Sequence, residues 1–397
     1  MRRSLRCIQS YTCRMSDRNS MSDGFPPPPT RADRWGGALA TRWPGLMRRL
    51  ARLETASVRD DIADVAIDRP VYVCGMARSG STVLLEMLAG APGFVSLRYS
   101  DYPCHWLPYW WNALRARLPR AAPARIERAH RDRLAVGPDS PEAFEENWWQ
   151  AFFPHRHDES VDQTLGADAA SAPFAAFYRD QLRKLLAVRG GRRYLCKGNY
   201  HLARIECLLA LFPDARFVVP VRAPRAQVAS LCKQDRWFVR WSRHDARVGA
   251  HLARLGHYEF GPEKRVQHCG DAAAAAAIRD AWNGGDTAFG YALQWREIYG
   301  AFVRRLEADE RLRRACLVVS YEALCTAPER EIRRIAAHAG LDAPAADALA
   351  SDWTGRLSLP DYYTDDADAA QRARIEAVTG DVAASLARYV ELTVTGR

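Results

Sequence analysis

Residues 71–88 read VYVCGMARSGSTVLLEML, an apolar run, a glycine turn and an amphipathic helix in direct succession. Gly75 and Gly80 let the backbone wrap closely around an anion. The N–H groups from Ser79 through Gly80 and Ser81 to Thr82 can point at that anion from a helix start, where the peptide dipoles favour negative charge. Ser81 and Thr82 add hydroxyl donors, and Arg78 places a fixed cation in the loop. The spacing Gly75-x4-Gly80-Ser81-Thr82 carries serine where a nucleoside-triphosphate loop carries lysine, so a β/γ-phosphate pair with magnesium is poorly served. A second stretch, FVVPVRAPRAQVAS, repeats the logic. An apolar run ends in Arg222, Pro224 stands at a helix start, and Ser230 follows two turns into that helix. An arginine and a serine so placed can converge on one phosphate from two sides. The ligand implied carries two separated anionic groups.

These residues need elements to hold them. Strand candidates are the runs Val71 to Gly75, Phe94 to Leu97, Tyr194 to Cys196, Arg216 to Val221 and Cys316 to Ser320. Helical patterns lie between them, over Thr82 to Ala89, Leu202 to Phe212, Arg225 to Cys232, Phe289 to Glu307 and Glu329 to Ala339. This alternation predicts an α/β fold, a parallel sheet covered by helices on both faces, with ligands at the carboxyl ends of the strands. Two stretches interrupt it, about 99–161, rich in Trp, Tyr, Pro and Arg, and about 237–280, which holds the run AAAAAA; both read as helical insertions over the sheet edge. FPPPPT at 25–30 reads as an extended linker. The expected division is a tail over 1–34, disordered or preceding a true start at Met15 or Met21, and one α/β domain over 35–397 with leading helices from Trp35 to Ile62.

Composition narrows the function classes. The 397 residues are 48% hydrophobic and 26% charged, as in a globular protein, and no apolar run is long enough to span a membrane. The basic start lacks the apolar stretch of a secretory signal. Ten cysteines show no C-x-x-C pair and no zinc spacing, which points to a reducing compartment and a cytoplasmic location, with no metal expected. His155 and His157 form H-x-H without a third ligand and read as a surface loop. Residues 1–60 hold twelve Arg against five Asp or Glu, so +7 of the +10 net charge lies there and the remaining +3 does not make a nucleic-acid face. Of 57 basic residues only Lys184, Lys197, Lys233 and Lys264 are lysine, so a lysine at a strand end is informative.

Taken together, Arg78-Ser-Gly-Ser-Thr-x-Leu84 resembles the 5′-phosphosulfate loop, and Arg222-x7-Ser230 the 3′-phosphate motif, of sulfotransferases that use 3′-phosphoadenosine 5′-phosphosulfate. YLCKGN sets Lys197 where tyrosylprotein-type members carry a catalytic lysine, and VVSYEALCTAPEREIRRIAAHAGL is similar to their late strand and helix. The resemblance covers about 69–341; beyond it only Arg356 and Ser358 are candidates to close over the nucleotide. It implies a three-layer α/β/α sandwich with a P-loop-type parallel sheet, and sulfuryl transfer to a hydroxyl or amine of a small-molecule, carbohydrate or lipid acceptor.

The resemblance also implies roles. Arg78 and Lys197 take up charge on the departing phosphate, and Arg78, Ser79, Gly80, Ser81, Thr82, Arg222, Ser230 and Tyr321 bind the donor. Relatives carry a glutamate base shortly after the second strand; here FVSLRYSDYPCHW offers Asp101 first and His105 second. Glu86 reads as a solvent or salt-bridge residue. Gln234, Trp237 and Arg240 stand where an acceptor cleft would continue. Five tryptophans between 106 and 149 suit either an apolar or sugar-ring acceptor or simple packing of the insertion. A P-loop kinase or other nucleotide-binding protein, and a non-catalytic module for anionic ligands, remain the competing readings.

Overall fold

Alternate residues of short apolar strands feed opposite sides of one sheet. The structure, a computed structural model, describes residues 25–26, 29–118, 125–360 and 367–395; the expected N-terminal tail lies, up to residue 24, outside them. Seven strands are present among the described residues: β1 (Val71–Cys74), β2 (Phe94–Val95), β3 (Ile126–Glu127), β4 (Ala135–Val136), β5 (Arg193–Gly198), β6 (Arg216–Val221) and β7 (Cys316–Ser320). Five of them form a sheet in the order β2-β5-β1-β6-β7, and every pairing in it is parallel. Tyr72, Tyr194, Phe217 and Val318 enter one apolar core, while Val71, Val73, Leu195, Val218 and Leu317 enter another. Burial on both faces is why these strands read as continuous apolar runs.

The first core is covered by the helices Ala172–Arg189, Pro224–His244 and Thr287–Ala308, the second by Ser81–Ala89, Pro328–His338 and Ala343–Trp353. The fold is therefore the expected α/β architecture with a central parallel sheet between helical layers. The chain makes β1, passes outward to β2 and β5, then crosses to β6 and β7 on the other side, so the ends of β1, β5 and β6 share the switch point where ligands settle in such sheets.

The interrupting stretches differ from expectation. The first carries helices at Pro108–Ala116 and Glu146–Phe152, but also the antiparallel β3–β4 hairpin, whose two-residue strands give too little periodicity to be read from sequence. Its tryptophans settle as packing: Trp106, Trp148 and Trp149 are fully buried, and of the five only Trp110 is exposed. His157 is buried against Tyr200 and Tyr258 and bonded to Glu146, rather than on a surface loop. In the second stretch the helix Pro224–His244 runs well past Cys232, and the alanine run opens the helix Ala272–Asn283 under an Asp271 cap. Thr30 and Asp33 form a capping box that starts the helix Arg31–Arg42 inside the expected tail, and Phe25 stacks on Trp237.

Candidate active site

Gly80 shows why the first loop needs its glycines. Its φ of 95° lies in the left-handed region, and a Cβ there would run into the ring of Tyr321. The chain turns at Gly80 into the helix Ser81–Ala89, directly beyond the end of β1. Ser79 is wholly buried, with its hydroxyl against Gly75, while Thr82 turns its hydroxyl to Lys197 and Arg128. Arg78, at a φ of 70°, reaches out of the loop.

The two motifs meet through Arg78. Its Nε donates to Ser230 Oγ at 3.0 Å, and Arg222 Nη1 donates to the Arg78 carbonyl at 3.4 Å. The Arg222 guanidinium lies 5.1 Å from the centre of the Tyr321 ring, which also packs on Gly80. Tyr321 thus sits between the first loop and the second. Beneath the loop, Gln227 donates to the Ala77 carbonyl and accepts from Trp295 Nε1, which locks the second helix to the first turn.

Lys197 approaches from the neighbouring strand. β1 and β5 pair Val73 with Lys197, so the lysine emerges beside the glycine loop, and its Nζ donates to Thr82 Oγ1 at 3.2 Å. A carboxylate oxygen of Glu142 lies 3.8 Å from the same Nζ. Glu142 also accepts from the Tyr99 hydroxyl at 2.5 Å and from the Ala143 N–H at 2.7 Å. Burial alone would raise its pKa, but Lys197, the Tyr99 hydrogen bond and Arg128 outweigh burial and hold it below the 4.5 of an ordinary glutamate.

The β3–β4 hairpin completes the cluster. Arg128 Nη1 donates to Thr82 Oγ1 at 3.2 Å. Asp132 bridges the arginines, accepting from Arg78 Nη1 at 2.8 Å and from Arg128 Nε at 2.9 Å. Burial opposes its charge, yet Arg128 and Arg78 hold the Asp132 pKa far below the usual carboxylate range. The hairpin is fastened by Gln234 to the His130 carbonyl and by Trp237 to the Ala129 carbonyl, with Arg131 stacked 4.0 Å over Trp237. Gln234 and Trp237 therefore hold the hairpin rather than line an open cleft, and Arg240 lies over Phe25.

The expected bases are placed differently. Asp101 is fully buried, accepts from Arg189 at 2.6 and 2.8 Å and caps the Arg98 N–H at 2.8 Å, so its oxygens are engaged by structure. His105 sits among Tyr102, Trp106, Phe144 and Trp148, where burial pushes its pKa down to about 3 and leaves an unprotonated, weakly basic imidazole. The carboxylate beside Lys197 is Glu142. An antiparallel bridge between Arg98 and Pro141 lays this later segment alongside the end of β2, delivering a glutamate to the place where residues just after β2 were expected to supply one. Glu142 and Arg128 carry no local sequence signal. Glu86 pairs with Arg125 at 3.2 Å, and Glu322 accepts from the Ala223 N–H at the start of the second helix. Arg356 pairs with Asp352, and the Ser358 carbonyl accepts from Cys325; neither residue bonds to the cluster.

The family model described as Sulfotransferase family matches residues 70–279, more than half of the chain and all of the elements just described up to the helix Ala272–Asn283. The chain belongs to the sulfotransferase family. Similar solved structures include sulfotransferase STF1 of Mycobacterium tuberculosis H37Rv, 18% identical with a TM-score of 0.46 over 86% of each chain. Sulfotransferase STF9 of Mycobacterium avium is 17% identical with a TM-score of 0.47, covering 83% of this chain and 80% of its own. No curated protein matches the chain. Membership makes this a transferase of the sulfuryl-transfer class. No helix among the described residues of this sulfotransferase is long and apolar enough to cross a membrane.

Proposed function

We propose that this sulfotransferase moves a sulfuryl group from 3′-phosphoadenosine 5′-phosphosulfate to a hydroxyl or amine acceptor by in-line displacement. The observation that carries the reading is the hydrogen bond from Arg78 to Ser230, which brings the starts of two helices together with Lys197 and Glu142 beside them. The glycine loop, Thr82 and Arg78 would hold the 5′-phosphosulfate, and Arg222 with Ser230 the 3′-phosphate. Glu142, ionised at neutral pH, takes the acceptor proton as the acceptor oxygen or nitrogen bonds to sulfur. The bond from sulfur to the bridging phosphate oxygen breaks, and its electron pair stays on the phosphate, where Lys197 and Arg78 meet the new charge. Arg128 joins them once an anion displaces Asp132.

Calorimetric titration with 3′-phosphoadenosine 5′-phosphate, set beside AMP and Mg-ATP and repeated on Arg222→Ala, tests the donor. Binding of the bisphosphate alone, lost in the variant, is the expected result. Binding of Mg-ATP with no gain from the 3′-phosphate would overturn the reading in favour of a kinase-like nucleotide site.

A further inference from the structure

Seven of the nine exposed large apolar side chains among the described residues gather on three neighbouring helices. Trp35, Leu39, Trp43, Leu46 and Leu53 lie on two consecutive helices, Arg31–Arg42 and Pro44–Ser57, and Trp110 and Leu114 on the helix that packs against their end. Trp110 is fastened there, its N–H donating to Glu54 and its indole to Ser57. Trp35 and Leu39 are four apart and Leu46 and Leu53 seven apart, so each helix shows an outward apolar stripe, while Ala40, Met47 and Ala51 turn inward.

The charge on these helices has one sign at the surface. Between residues 31 and 57 stand six arginines and two acids. Both acids are buried: Asp33 caps Thr30, and Glu54 pairs with Lys184. Arg31, Arg42, Arg49 and Arg52 are exposed and face no carboxylate among the described residues. Beside the apolar stripe a groove of about 650 Å³ is lined by Arg31, Arg34, Trp35, Arg247 and Arg254 and by no acid, and Asp245, next to it in sequence, is bonded to Arg247. Tryptophan and leucine rimmed by arginine, with the exposed acids Asp60, Asp61 and Asp64 set past the far end of the second helix, matches the interface of an anionic bilayer, where rings and alkyl chains enter the acyl boundary and guanidinium groups meet lipid phosphates.

We infer that residues 31–53 form a docking face for a membrane surface rich in anionic phospholipid, with the arginine groove receiving a headgroup phosphate. Other covers fit less well by charge. Residues 1–24 carry five arginines against two aspartates, the same sign as the face, and a second copy would bring the same arginines. The inference does not rest on the proposed donor.

The test is vesicle flotation of the full chain on phosphatidylcholine alone and on phosphatidylcholine with phosphatidylglycerol. The chain should float with the anionic vesicles only, and less as salt rises. Arg31→Gln, Arg42→Gln and Arg49→Gln should each lower partitioning about fivefold, the effect of about 1 kcal/mol per surface arginine. Trp35→Ser with Leu39→Ser should release the protein while circular dichroism and the urea unfolding midpoint stay unchanged. Absence of flotation by the folded wild-type chain overturns the inference. So does flotation that is equal on neutral vesicles and indifferent to the arginines. Capture of poly-glutamate or self-association through Trp35, without lipid binding, would reassign the face to an acidic protein or a second copy.

Discussion

Two of the four lysines face a glutamate, and the two pairs are built differently. Lys184 and Glu54 are wholly buried at 2.8 Å, and Lys184 Nζ also donates to the Ala51 carbonyl while Glu54 accepts from the Trp110 N–H. Burial pushes Glu54 up and Lys184 down, both toward the neutral form, and their mutual attraction opposes it. Lys197 and Glu142 stand 3.8 Å apart, each with other partners and each retaining a small exposed surface. Here the local field favours charge on the glutamate. A tight, satisfied pair fastens two helices; a loose pair beside a glycine loop leaves both groups free to exchange partners with a substrate.

Exchanging the lysines for methionine one at a time is the strongest way to break this contrast. Lys184→Met leaves Glu54 buried without its partner and should cost about 3–5 kcal/mol of stability, measured by urea unfolding. The double replacement Lys184→Met/Glu54→Leu should recover most of that loss, because it removes the buried charge as well. Lys197→Met should leave the unfolding midpoint nearly unchanged and lower kcat about 10²–10³-fold, the cost of losing one stabiliser of transition-state charge. An equal stability loss in both variants would show that Lys197 is structural too.

A pH profile sharpens the same contrast. Because the Glu142 pKa is depressed, the carboxylate is present through neutrality and is lost only as pH falls below the 4.5 of an ordinary glutamate. Activity on a hydroxyl acceptor should therefore be flat on its acid side down to that range. Glu142→Gln should lower kcat about a hundredfold and abolish the acid limb. His105→Gln should leave the limb in place, since His105 is neutral throughout.

What the sequence made legible follows from how local each arrangement is. The glycine loop, Arg222 and Ser230 are each written within one strand, turn and helix, and the five sheet strands are apolar because both faces are covered. Lys197 stood out because lysine is scarce. Glu142 was not legible, since its place depends on the antiparallel return at Arg98 and Pro141, a contact that no spacing announces. Asp101 is the carboxylate nearest in sequence to the end of β2, but Arg189 at the end of a later helix claims it. The tryptophans were legible as apolar, but not whether they faced a cleft or a core.

Asp132 offers the smallest and most specific test, because it makes the arginine cluster resemble the closed lysine pair more than the open one. Its carboxylate occupies Arg78 and Arg128, both of which lie beside groups proposed to bind the donor. A carboxylate there competes with any phosphate or sulfate for the same guanidinium groups. Asp132→Asn keeps the shape of the hairpin and removes the charge, so the bisphosphate should bind about tenfold more tightly, a gain of about 1.4 kcal/mol. Without ligand the variant should melt lower, because two arginines lose their shared anion, and the bisphosphate should restore the difference by binding the native state. Weaker binding would instead mean that Asp132 positions the arginines for the donor. The hairpin would then belong to the assembled site, and not to a cover that the donor displaces.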